Sequence, residues 1–112
     1  MASREEVMKG LERVKARFDD PAIKEKFKDF TKKMQFSFTD LNTSFVMDIE
    51  NGEVKSLEEK NIEKPDILVT TTSDIFLGIL DKKVNPMTSY MTGKIKVKGA
   101  MGDLLKLQKI ML

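Results

Sequence analysis

Four hydroxyls stand in a row at Thr70-Thr71-Thr72-Ser73, the densest run of candidate nucleophiles in the chain. A hydroxyl needs a neighbouring base before it attacks anything, and the usual base is histidine. The 112 residues contain no histidine and no cysteine. A lysine would have to serve as the base, and thiolate chemistry, disulfides and soft-ligand metal centres are excluded. Any metal site would be all-oxygen, and no Asp-rich loop has calcium-binding spacing. Strand propensity followed by a helix N-cap at Ser73 explains the hydroxyl run without chemistry. Gly93-Lys94 and Gly99-Ala100-Met101-Gly102 lack the spacing of a phosphate loop. Aromatic residues are 7% of the chain and sit mostly on apolar stripes, so no nucleic-acid partner is expected. The residues imply no catalytic group, no metal and no cofactor, and the chain is not expected to be an enzyme.

The elements around these residues follow from periodicity. Ser3-Arg4-Glu5-Glu6 has the form of a capping box, and Val7, Leu11, Val14 and Phe18 then form one apolar helical stripe. Asp20 caps a second helix with Pro21 in its first turn, and Ile23, Phe27, Phe30 and Met34 continue the spacing. The period then changes to two. Gln35-Phe36-Ser37-Phe38 alternates, and Phe45, Met47 and Ile49 alternate with Val46, Asp48 and Glu50. Asn51-Gly52 favours the positive backbone angles of a tight hairpin before Val54-Lys55-Ser56-Leu57. Glu58 to Pro65 reads as a charged loop, and Asp66 to Thr72 as a strand.

After Ser73 comes a helix bearing Ile75, Phe76, Leu77, Ile79 and Leu80, apolar on more than one face. Asn85-Pro86 opens a short helix that Gly93 ends. In Lys94-Ile95-Lys96-Val97-Lys98, Ile95 and Val97 face inward and the lysines outward, as suits an edge strand. Gly99 and Gly102 flank the turn into a last helix over 103–112. The order ααβββ, loop, βααβα argues an α+β fold on a mainly antiparallel sheet.

Length allows one domain, residues 1–112. Apolar residues are 40% and charged residues 34%, which argues a folded core against disorder. Net charge is +2 but uneven: residues 40–66 carry three basic and eight acidic side chains, residues 67–112 seven basic and three acidic. Such patterning is mostly that of solvated helix faces; an anionic membrane surface is a further, transient partner that it leaves open. No apolar run approaches the ~20 residues of a membrane span. With a charged, helical N-terminus and a C-terminus without a Ser-Lys-Leu-type tripeptide, a cytoplasmic location is expected.

Asp66 opening a strand, a capped helix at Ser73, Met91-Thr92-Gly93, the alternating Lys94-Ile95-Lys96-Val97 and Gly99 together resemble the sterol carrier protein (type 2) lipid-binding domain family. The similarity covers about 15–110. Ala100-Met101-Gly102-Asp103 departs from the family's Gly-Asp pattern, and Tyr90 stands where an aromatic precedes Met-x-Gly. The resemblance implies a five-stranded sheet, helices packed on one face, and an apolar tunnel between them. It implies non-catalytic carriage of a fatty acid, acyl-coenzyme A, sterol or other lipid. The tunnel wall is then expected from Phe45, Met47, Phe76, Ile79, Leu80, Met87, Tyr90, Met91, Leu104, Leu107 and Met111. The eight methionines fit this, because a flexible thioether suits a pocket for varied apolar shapes. The competing expectation is a protein-interaction module, in which the apolar surface of the C-terminal helices docks a partner or a second copy as a homodimer.

Overall fold

The computed structural model describes the backbone from residue 2 to 111 and side chains from 2 to 109. Helix α1 spans Arg4–Arg17 and α2 Pro21–Phe27. Strands β1 (Lys32–Phe38), β2 (Thr43–Glu50), β3 (Glu53–Glu59) and β4 (Ile67–Thr71) follow, then α3 (Ser73–Leu80), α4 (Pro86–Met91), β5 (Ile95–Lys98) and α5 (Met101–Met111). The element order is the one that the periodicities imply. No described helix is long and apolar enough to cross a membrane.

Local chemistry sets most boundaries. Ser3 Oγ accepts from the Glu6 amide while Glu6 Oε1 accepts from the Ser3 amide, so the capping box at α1 is complete. Asp20 Oδ1 accepts from the Ala22 amide and Asn85 Oδ1 from the Thr88 amide, with Pro21 and Pro86 next in line. Asn51 and Gly52 take φ of 50° and 79°, the hairpin geometry that joins β2 to β3.

Three local expectations are corrected. The α2 stripe ends at Phe27. Phe30 lies beyond the helix, and Met34 belongs to β1, where Met34, Phe36 and Phe38 already alternate. Both are buried, so apolar spacing alone could not separate helix from strand there. The cap of α3 is Thr72, whose Oγ1 accepts from the Ile75 amide, because the Ser73 hydroxyl is committed to Asp40. Helix α5 starts at Met101 rather than 103, so Gly102 lies inside its first turn.

The sheet runs β3-β2-β1-β4-β5. Three neighbouring pairs are antiparallel and the central β1–β4 pair is parallel. Asp66 starts that parallel pair: its amide donates to Lys33 O at 2.9 Å and its carboxylate accepts from the Lys33 amide at 2.8 Å. One sheet face carries Met34, Phe36, Phe38, Phe45, Met47, Ile49, Ile67, Val69 and Ile95, which form one core with Val7, Leu11, Val14, Phe27, Phe76 and Leu107 from the helices. Phe76 anchors α3 over β1, edge-on to Phe38 and Phe36 at 5.2 and 5.9 Å between ring centroids.

Candidate ligand-binding cavity

Away from the Phe76 anchor, over β4 and β5, the core does not close. A partly open cavity of about 300 Å³ lies there, between the sheet edge and α3, α4 and α5. That size is at the lower end of small-molecule sites.

Each wall has a sequence cause. Val69 and Val97 are register partners on β4 and β5, so both side chains leave the same sheet face, and Ile95 follows at the next inward position. Ile79 comes from the buried side of α3. Helix α4 contributes Pro86, Met87 and Tyr90, one turn of a short capped helix. Helix α5 contributes Met101, Leu104, Leu105 and Gln108, the i, i+3, i+4, i+7 series of one helical face, together with Leu107.

Contacts on its other flanks orient α5. The Lys32 ammonium lies 3.3 Å from the Asp103 carboxylate, and Lys106 Nζ sits over the rings of Phe30 and Phe27 at 5.7 and 5.9 Å. Gly99, in the β5–α5 turn, passes over Asp66: a Cβ there would stand 3.1 Å from Asp66 O and 3.3 Å from Leu104 Cδ2. The same Asp66 that starts the parallel pair therefore borders the turn that launches α5.

Among the described residues no acidic or basic side chain lines the cavity, and the polar side chains there are Gln108 and the phenol of Tyr90. Ser89, the buried residue of α4, donates its hydroxyl to Asn85 O at 2.9 Å, and the buried Thr71 hydroxyl donates to Lys94 O at 2.9 Å. Among the described residues no buried side-chain polar atom lacks a partner. The walls thus ask no hydrogen bond of a ligand and offer it apolar contact.

Five residues of the expected tunnel wall, Ile79, Met87, Tyr90, Leu104 and Leu107, meet at this cavity. Phe45, Met47, Phe76 and Leu80 lie in the packed core. Met91 turns outward and is 77% exposed, and the Met111 side chain lies outside the described residues. Val69, Pro86, Ile95, Val97, Met101, Leu105 and Gln108 join the wall without having been singled out for it. The inward alternation of Ile95 and Val97 and the helical series from Met101 carried that signal. A second depression, about 370 Å³, lies at the β1–β2 hairpin end and is polar: Ser37 and Ser44 bond each other at 2.8 Å, and Asn61 Oδ1 accepts from Gln35 Nε2 at 3.0 Å.

The fold and the cavity define a class: a small α+β domain whose helices leave an apolar pocket at one edge of a five-stranded mixed sheet. The chain belongs to the SCP-2 sterol transfer family, whose model matches residues 11–112. It is 33% identical over 69 residues to sterol carrier protein 2 of Homo sapiens, covering 62% of this chain and 12% of that protein. It is 32% identical over 68 residues to hydroxysteroid dehydrogenase-like protein 2 of Xenopus tropicalis, covering 61% of this chain and 16% of that one. The chain thus spans only a small part of the length of these two relatives. In fold it is similar to the sterol carrier protein domain 2 of Helicoverpa armigera, with TM-score 0.77, 24% identity and coverage of 98% and 90%. It is also similar to the palmitated sterol carrier protein 2-like 2 of Aedes aegypti, with TM-score 0.68, 20% identity and coverage of 98% and 95%.

Proposed function

We propose that the chain binds and carries a long apolar ligand of the lipid class, without catalysis, in the cavity between β4–β5 and helices α3, α4 and α5. The observation that carries this reading is an apolar wall with no charged side chain among the described residues, opened to the surface by half-exposed Met87, Tyr90 and Leu105. Family membership and the palmitated state of the Aedes aegypti relative support it. Binding is reversible sequestration. Each methylene taken from water returns about 0.8 kcal/mol, so about ten of them gross roughly 8 kcal/mol, the scale of micromolar affinity before ordering costs. Sterol, fatty acid, acyl-coenzyme A and phospholipid chains all meet this requirement.

Titration of the protein into a fluorescent fatty-acid analogue tests the proposal. Saturable binding at micromolar protein, displaced by long-chain lipids, is expected. Native mass spectrometry of freshly purified protein should show co-purifying lipid. Absence of both sinks the carrier reading.

A further inference from the structure

The chain holds eight methionines and no cysteine, so all its sulfur is thioether. With no thiol to compete, a mild two-electron oxidant acts on methionine, and access decides which one. The fold sorts the methionines by access. Met34 and Met47 are fully buried in the core, and Met8 is half-buried against it. Met87, Met91 and Met101 are 53%, 77% and 71% exposed. Met87 on α4 and Met101 in the first turn of α5 also line the cavity, and Met91 does not. The side chains of Met1 and Met111 lie outside the described residues. Among the described residues, then, three sulfurs are open to an oxidant, and two of those three belong to the wall of the site.

We infer that Met87 and Met101 are oxidation sites, through which a peroxide switches ligand binding off and a sulfoxide reductant switches it back on. The inference rests on the carrier reading and adds its regulation. The thioether sulfur attacks one oxygen of hydrogen peroxide, the O–O bond breaks and an S–O bond forms. The hydroxide released takes the proton of the transferred oxygen and leaves as water. Sulfur is oxidised by two electrons and the peroxide is reduced by two. In the reverse step a dithiol of the methionine sulfoxide reductase class becomes a disulfide, and the sulfoxide oxygen leaves as water. Polarity is what changes at the site. A thioether makes apolar contact and accepts hydrogen bonds weakly, whereas a sulfoxide is polar and holds water. Among the described lining side chains only Gln108 and the phenol of Tyr90 could donate to the new oxygen. A lipid chain seated against Met87 and Met101 would strip that water without replacing its hydrogen bonds, which lowers affinity. The fold itself stands, because Met34 and Met47 stay sealed in the core. Leucine at either wall position keeps the wall apolar and suits a helix equally, but does not respond to an oxidant.

Limited treatment of the full chain with hydrogen peroxide, read by peptide mass spectrometry and by titration with a fluorescent fatty-acid analogue, tests the proposal. Met87, Met91 and Met101 should each gain one oxygen before Met34 and Met47 do. The melting temperature should hold while probe affinity falls at least about tenfold. Methionine sulfoxide reductases with dithiothreitol should restore it. Palmitate bound beforehand should slow oxidation of Met87 and Met101 and leave the rate at Met91 unchanged. Met91→Leu should lose affinity on treatment as wild type does. M87L/M101L, compared with itself before treatment, should not. Failure of the untreated wild type to bind the probe faults the carrier reading, and the switch with it. Full probe affinity after oxidation of Met87 and Met101 overturns the switch alone. So does an affinity loss that M87L/M101L shares, because another methionine would then be responsible. Oxidation of Met34 or Met47 in step with Met87, or a fallen melting temperature, also overturns it, since damage to the core would then explain the loss.

Discussion

The hydroxyl of Ser73 lies 2.5 Å from Asp40 Oδ2 and its amide 2.9 Å from Asp40 Oδ1, so one carboxylate takes both donors of the residue that opens α3. Ser73 is fully buried, and its Oγ also accepts from the Ala2 amide at 3.2 Å. A single side chain thereby joins the N-terminal segment, the β1–β2 turn and the first turn of α3.

This cluster has a defined pH signature. Burial pushes the Asp40 carboxyl up, but the Ser73 hydroxyl, the Ser73 amide and its own backbone together outweigh that and hold it below its ordinary value of 3.8. A lowered carboxylate stabilises the fold above the ordinary value, and that stabilisation is lost as pH falls through the lowered one. Asp40→Ala should therefore cost about 1–2 kcal/mol at pH 7, since Asp40 is itself partly exposed. The gap to wild type should shrink below pH 3.8. Urea unfolding at pH 7 and near pH 3 measures it, and a gap independent of pH would show that the carboxylate's charge is immaterial.

Gly52 makes a sharper demand on the backbone. Its φ of 79° suits glycine, its amide donates to Phe30 O at 3.0 Å, and a Cβ would stand 2.5 Å from Phe27 O. Backbone cannot yield as a side-chain tip does. Gly52→Ala should destabilise by about 1–3 kcal/mol, from left-handed strain and the clash together. Asn51 has φ of 50° but is exposed, so Asn51→Gly should be neutral or mildly stabilising. Thermal melts of the two variants compare the neighbours directly; equal losses would contradict the steric argument.

The contrast between these positions shows what a sequence discloses. Asn51-Gly52, the Ser3–Glu6 box, Asp20-Pro21 and Asn85-Pro86 are read locally because their partners lie within a few residues. Thr72 rather than Ser73 caps α3 because of Asp40, 33 residues away. The inward faces of β5 and α5 are legible from their periods. Which part of the inward surface stays open is not, because it depends on strand order. With β1 central and β5 at the edge, Phe45 and Met47 fall under packed helix while Val69 and Val97 border space. Composition does not say which methionines border the cavity: Met87 lines it and Met91, one helical turn further along α4, does not.

Chelation should leave both melting temperature and probe binding unchanged. The chain has no histidine or cysteine, and among the described residues no three acidic side chains gather as a metal site would require. A clear fall in melting temperature with EDTA would reveal an oxygen-ligand site that neither sequence nor geometry discloses.

The decisive separation is between wall and core. Val97 is half-buried, on an edge strand, and faces the cavity from β5. Val97→Trp puts a large side chain into space already present, and tryptophan is at home in strands. Stability should hold or rise, while the added ring displaces at least two methylenes of ligand. At about 0.8 kcal/mol each, that is about tenfold or more in probe affinity. Met34 is fully buried on the central strand and does not line the cavity, so Met34→Trp should overpack, costing about 1–3 kcal/mol and lowering the melting temperature by about 4 °C or more. Met91→Trp, on an exposed position outside the wall, should alter neither folding nor probe affinity. Melting curves and probe titrations on the three variants give the pattern. If Val97→Trp loses stability and keeps its affinity, while Met91→Trp loses affinity, the ligand sits outside the α4–α5–β5 cavity.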